Sequence, residues 1–251
     1  MHLDLKDKFH FSIDDVFHSF MDLEFQKIKI HDHFILGKLF KNYETKGLVS
    51  SLYCFNQKKI GTKLLNLNNI LNPNILQKEH KWIKFGYHAK NFDKAPYNMK
   101  INQLKRDFNK FYKFLNYKKI FSQYLRFHYY SEMFELHQEL TNQNIKGLLI
   151  TDKSKTAYRI DKQGKKNIKD FGYCNYNKVL FIRTQFRIEN FSKSNLNRKQ
   201  IIELFETQLK KFGFIVVYVH EYDLYSKKTL YYLDLTLNIL FNDLKISSFD
   251  K

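Results

Sequence analysis

Phe9-His10-Phe11-Ser12-Ile13-Asp14-Asp15 is an aromatic and β-branched run that stops on two adjacent carboxylates. Short runs of this kind, roughly four to eight residues, read as strands. The pattern recurs at 48–55 (LVSSLYCF), 82–87 (WIKFGY), 125–129 (LRFHY), 146–150 (KGLLI), 179–182 (VLFI) and 214–219 (FIVVYV). Between the runs lie lysine-laced amphipathic stretches at 34–43, 101–121, 132–143 and 200–212, each with an apolar stripe on one helical face. Gly47 and Gly213 stand where such helices should stop. The polar stretch 152–177 predicts a loop with short irregular pieces. Strands alternating with helices imply parallel strands joined by crossovers. About seven of them predict an α/β fold, a (β/α) barrel rather than an open doubly wound sheet. A chain of 251 residues fits one domain over 1–251.

Nearly every run ends in a reactive residue. Asp14 and Asp15 follow the first, and His88 the third. Arg126 and His128 lie near the end of the fourth, Asp152 follows the fifth, Arg183 ends the sixth, and His220 and Glu221 follow the seventh. Functional groups of parallel α/β folds collect at the carboxyl ends of strands, so these residues are expected on one rim. Asp and His together suit zinc or another divalent ion, and three protein ligands with one open position make a catalytic arrangement. Of two adjacent carboxylates, one can ligate while the other takes a proton. His31 and His33 read as a surface pair at a helix start; His10, His18 and His137 read as structural.

Net charge is +18, from 43 basic and 25 acidic residues. The basic residues are scattered, whereas a dedicated nucleic-acid arm would be a block or stripe, so no specific nucleic-acid partner is expected. The charge favours anionic partners such as sugar nucleotides or acidic glycans. The start, MHLDLKDKFHF, is broken by charges and predicts no secretory signal, hence a cytoplasmic address. No run is long enough for a transmembrane segment. Cys54 reads as a buried small hydrophobe, and without a CxxC pair a thiolate zinc site is excluded.

Four segments carry a resemblance. Phe11-Ser12-Ile13-Asp14-Asp15 resembles the T/S-F-D-D motif that opens the polysaccharide deacetylase (NodB-like carbohydrate esterase) superfamily. Phe85-Gly86-Tyr87-His88 resembles its second motif, Leu125-Arg126-Phe127-His128-Tyr129 the third (R-x-P-Y), and Ile215 to Glu221 the last, an apolar strand ending in Leu-x-His. Their order spans nearly the whole chain and looks like a divergent cytoplasmic branch found in surface-polysaccharide biosynthesis. The resemblance implies a distorted (β/α)7 barrel and a metal-dependent carbohydrate de-N-acylase, acting on an amide of a carbohydrate or sugar-nucleotide substrate. It implies Asp14 as general base, Asp15 and His88 as metal ligands, Arg126 as the residue orienting the base, and His220 as general acid.

One departure stands out. The second motif is normally H-S/T-x-x-H, and its second His falls on Phe92. His128, at the proline position of the third motif, is the expected replacement ligand for a divalent metal, with zinc the expected ion. Tyr129 is expected to contribute its backbone N–H to an oxyanion, and Glu221 to contact substrate or metal. Tyr87, Tyr97, Tyr129 and Tyr222 are candidates to stack on a sugar ring. The missing His also leaves a second reading, a catalytically degenerate protein that binds a glycan or sugar nucleotide on the same fold.

Overall fold

The computed structural model describes residues 5–151 and 159–249. In chain order its elements are β1 (Lys8–Val16), α1 (His18–Phe25), α2 (Leu36–Tyr43), β2 (Ser50–Phe55), β3 (Gln57–Ile60), β4 (Lys63–Asn66), α3 (Pro73–Gln77), β5 (Ile83–Ala89), α4 (Ile101–Leu115), β6 (Tyr124–Leu125) and α5 (His137–Asn142). There follow β7 (Gly147–Ile150), α6 (Lys162–Phe171), β8 (Tyr173–Tyr176), β9 (Val179–Arg183), β10 (Phe186–Arg187), α7 (Ile188–Lys193), α8 (Arg198–Phe212), β11 (Phe214–His220), α9 (Lys227–Asn238) and β12 (Ser247–Ser248).

Each expected strand run contains a strand. At 125–129 pairing covers only Tyr124–Leu125. Tyr129 and Tyr130 take left-handed φ values of 55° and 52°, which turns the chain away from the ladder. The helix expected over 101–121 stops at Leu115, where Asn116 caps it with φ 45°. The loop expected over 152–177 is corrected within its described part. Asp161 accepts from Gly164 N (2.7 Å), α6 follows, and Gly172 ends it at φ 82°. Lysines crowd this helix and its buried face is narrow, Gly164 and Ile168, which hid the stripe. Asp152 lies outside the described residues.

β10, β11, β1, β2 and β5 lie side by side in parallel, with β12 also against β1. β6, β7 and β9 form a second parallel set, edged by antiparallel β8. β3 and β4 are a separate hairpin. The two sets touch at both margins: Ser122 N donates to Phe85 O (2.9 Å) beside β5, and Gln185 N donates to Val216 O (3.1 Å) beside β11.

Alternation along β1 puts His10, Ser12 and Asp14 on one face. Opposite them, Tyr53 of β2 bonds His10 (2.9 Å) and donates to Tyr124 O (2.7 Å), while Ser51 bonds Ser122 (2.8 Å). This polar seam joins the two sheets. Gly86 lies beside it: a Cβ there would stand 2.4 Å from Leu125 and 2.7 Å from Tyr53, so only glycine fits. Phe9, Phe11 and Ile13, on the other face of β1, are buried in the apolar core, as is Cys54, whose thiol burial pushes up. Among the described residues no helix is long and apolar enough to cross a membrane.

Candidate active site

A pocket of about 270 Å³ opens at the carboxyl ends of β1, β5 and β11. Asp14, Asp15, His88, Arg126, His128, Tyr129 and His220 all line it, together with Phe92, Tyr130, Arg187, Tyr218 and Tyr222. Residues more than two hundred positions apart thus share one rim.

Asp14 sits in register with His220 on the neighbouring strand β11. Arg126 Nη1 reaches Oδ1 and Oδ2 of Asp14 at 2.9 and 3.0 Å and donates to Ser12 Oγ at 2.8 Å; Nη2 donates to Thr184 Oγ1 at 3.1 Å. Its guanidinium also lies 4.2 Å from the Tyr218 ring centroid. Burial works against this charge, but the Asp14 carboxylate outweighs it and holds the pKa above the usual value. Arg126 therefore fixes the Asp14 carboxylate in place.

Asp15 would point away from Asp14 in a regular strand. Instead the ladder with β2 shifts register between Ile13 and Val16, and Asp15 takes φ 61°. This bulge turns its carboxylate into the same pocket. Just beyond it, Glu221 accepts from Phe17 N (2.9 Å), His18 N (2.7 Å) and Ser19 N (2.7 Å), tying the end of β11 to the start of α1. The expected substrate or metal contact by Glu221 is thereby corrected. Its buried carboxylate is occupied by backbone donors.

His88 Nε2 stands 3.0 Å from Asp15 Oδ1, His128 Nδ1 stands 3.3 Å from the same oxygen, and the two nitrogens are 3.2 Å apart. The outer nitrogens face carbonyls: His88 Nδ1 lies 2.6 Å from Arg126 O and His128 Nε2 lies 3.2 Å from Phe92 O. A carbonyl only accepts, so both outer nitrogens carry the protons. In the neutral rings the inner nitrogens are then lone pairs converging on a carboxylate. Both Asp15 oxygens are buried and neither has a hydrogen-bond partner. Three ligands on a tetrahedral ion at ~2.0–2.1 Å would lie roughly 3.3 Å apart, so the donor set fits a divalent cation. Phe92, where the motif would place a histidine, supplies the carbonyl that orients His128.

At the end of β11, His220 Nδ1 bonds Glu189 Oε1 at 2.5 Å, and Arg187 Nε reaches the same oxygen at 2.8 Å. Burial raises the Glu189 carboxyl, yet His220 and Arg187 prevail and bring it down to about 2. His220 Nε2 is left for the pocket. Glu189 and Arg187 were missed by sequence reading. The one available signal was their position just after the sixth strand run, which no quoted motif covers.

Other expectations resolve differently. Tyr129 and Tyr222 are half-exposed on the rim, but Tyr87 is buried among Phe108, Phe111 and Phe127, and Tyr97 lies off the pocket lining. Arg183 packs over the Phe212 ring at 5.2 Å rather than entering the pocket. His33 is buried, not a surface residue, and its Nδ1 accepts from Ile35 N and Leu36 N at the start of α2.

No family model and no curated protein matches the chain. Among solved structures it is similar to 4-α-glucanotransferase from Thermococcus litoralis, at 9% identity and a TM-score of 0.58, over 96% of this chain and 38% of that one. The chain thus spans well under half of that enzyme. It is also similar to the chitin deacetylase of the fungal pathogen Colletotrichum lindemuthianum (9% identity, TM-score 0.48, 97% of this chain and 85% of that one). A polysaccharide deacetylase from Bacillus cereus follows, at 10% identity and a TM-score of 0.45, over 97% and 90% of the two chains. At 9% identity the likeness to the glucanotransferase is one of fold, an α/β architecture around a mostly parallel sheet.

Proposed function

We propose that the chain is a metal-dependent carbohydrate de-N-acylase, hydrolysing an N-acetyl or similar amide on a sugar. We read its two parallel sheets, touching at both margins, as the distorted (β/α)7 barrel implied by the motifs. The observation that carries the proposal is the convergence of Asp15, His88 and His128, with both outer imidazole nitrogens held by carbonyls.

Asp15, His88 and His128 would hold the ion, and two imidazoles with a carboxylate suit Zn²⁺. A bound divalent ion supplies Lewis acidity toward an acyl oxygen and lowers the pKa of water. Asp14, fixed by Arg126 and Ser12, takes the proton of the attacking water at a carboxylate oxygen. Tyr129 lines the pocket, and its backbone N–H would donate to the developing oxyanion. His220 gives a proton from Nε2 to the departing amine, while Glu189 holds Nδ1 and fixes the orientation of the ring. Tyr129 and Tyr222 present aromatic faces to the sugar.

The test is elemental analysis of the purified protein, followed by assay of acetate release from N-acetyl sugars. Near-stoichiometric metal and acetate release are expected, both lost in Asp15→Ala and His88→Ala. Metal and activity unchanged in those variants would overturn the assignment. Stoichiometric metal and glycan binding without acetate release would instead favour the binding-only reading.

A further inference from the structure

We infer that the same rim carries a second binding site, for an anionic group joined to the sugar: the carboxylate of an acidic saccharide unit or the diphosphate of a sugar nucleotide. The inference rests on the carbohydrate reading above. A cavity of about 380 Å³, larger than the pocket at Asp15, lies between the ends of β2 and β5, the β3–β4 hairpin and α4. Lys90 in its wall is two residues beyond His88, and Phe92, two further on, lines the other pocket. One short loop therefore flanks both spaces. Phe92 is 55% exposed and packs near Phe55 and His128, so its ring forms an apolar partition along which a ligand can run.

The lining has the chemistry of sugar recognition. Asn56, Gln57, Asn66 and Asn68 bring carboxamides, which donate and accept as hydroxyls require. Phe114 adds an aromatic surface. Gln57 Nε2 donates to Asn66 Oδ1 (2.7 Å) and Asn56 Nδ2 to Asp107 O (3.3 Å), so the wall is preformed.

Charge narrows the ligand class. Lys90 and Lys110 face one carboxylate, Asp107, in the cavity lining. Among the described residues neither ammonium has an ion-pair partner. In the neighbouring pocket, by contrast, both arginines are already matched: Arg126 by Asp14, Arg187 by Glu189 and Asp223. A negative charge carried by the substrate is therefore met by the lysines of the larger cavity.

The experiment is calorimetric titration of metal-loaded protein in a His220→Gln background, where turnover cannot obscure binding. Probes are a hyaluronan tetrasaccharide, UDP-N-acetylglucosamine and neutral N-acetylchitotetraose, at ~50 mM salt. One anionic probe is expected to bind at least about 10-fold more tightly than the neutral one. Which probe does so identifies the source of the charge. Adding Lys90→Gln and Lys110→Gln should erase that excess and leave chitotetraose affinity within about twofold. No excess, or an excess that survives the lysine substitutions, overturns the inference. Failure of the hydrolase reading registers separately, as absence of acetate release by the unsubstituted protein.

Discussion

Two clusters of carboxylate and histidine each send a histidine to the pocket, Asp15–His88–His128 and Glu189–His220–Asp223, and both bring potential ligand atoms within 4.8 Å of one another. Distance alone makes them equivalent. They differ in where the protons and the positive charge sit. In the first, carbonyls of Arg126 and Phe92 hold the outer nitrogens, and the Asp15 oxygens have no hydrogen-bond partner. In the second, the His220 nitrogen points at Glu189, and Arg187 is already placed between Glu189 and Asp223. Among the described residues the first holds no arginine or lysine, whereas the second contains Arg187. A metal centre needs lone pairs that converge without a resident charge; a proton relay needs the reverse.

His128→Ala would break this contrast most forcefully. Zinc affinity should fall by at least ~100-fold on loss of a ligand, read by competition with a chelating dye, whereas Asp223→Ala should leave it unchanged. Equal losses would mean that the clusters share the ion. Arg126→Met strands the Asp14 carboxylate in a buried site and should cost about 3–5 kcal/mol in urea denaturation. A cost below ~1 kcal/mol would show that water reaches the pair.

Glu189→Gln sharpens the comparison from the other side. Metal content should hold while kcat falls roughly 10–100-fold. It should also change the acid limb of stability. The folded Glu189 carboxyl lies at about 2, below its ordinary 4.5, so its contribution is complete above the ordinary value and fades as pH falls toward 2. The melting temperature of the unsubstituted protein should therefore drop more steeply below pH ~4.5 than that of Glu189→Gln. Parallel curves would contradict the assignment. The smallest effect is expected from Glu221→Gln, which sets an amide against the N–H groups of Phe17, His18 and Ser19. A loss of about 1–3 kcal/mol with KM unchanged would confirm a structural carboxylate, while a raised KM would restore Glu221 as a substrate contact.

The site was legible in proportion to how much of it lay on strands. Short apolar and aromatic runs located β1, β5 and β11, and with them Asp14, His88 and His220 at one rim. His128 followed from a vacancy at Phe92, an argument about which residue type was missing. Glu189 and Arg187 escaped because their significance depends on the fold bringing α7 against the end of β11, which no local pattern records. Glu221 was misread for the converse reason: a carboxylate after a strand looks reactive until the backbone of residues 17–19 is seen to occupy it.

Sequence by itself determined the periodicity, the parallel α/β class and the order of polar residues at strand ends, because a strand's side-chain period and a helix's stripe are local properties. Only the tertiary structure decided the direction of each functional group. Asp15 joins Asp14 in one pocket through a bulge at φ 61°, and His128 presents Nδ1 because the carbonyl of Phe92 meets Nε2. Both outcomes depend on contacts between segments far apart along the chain, which become physical only when the sheets meet.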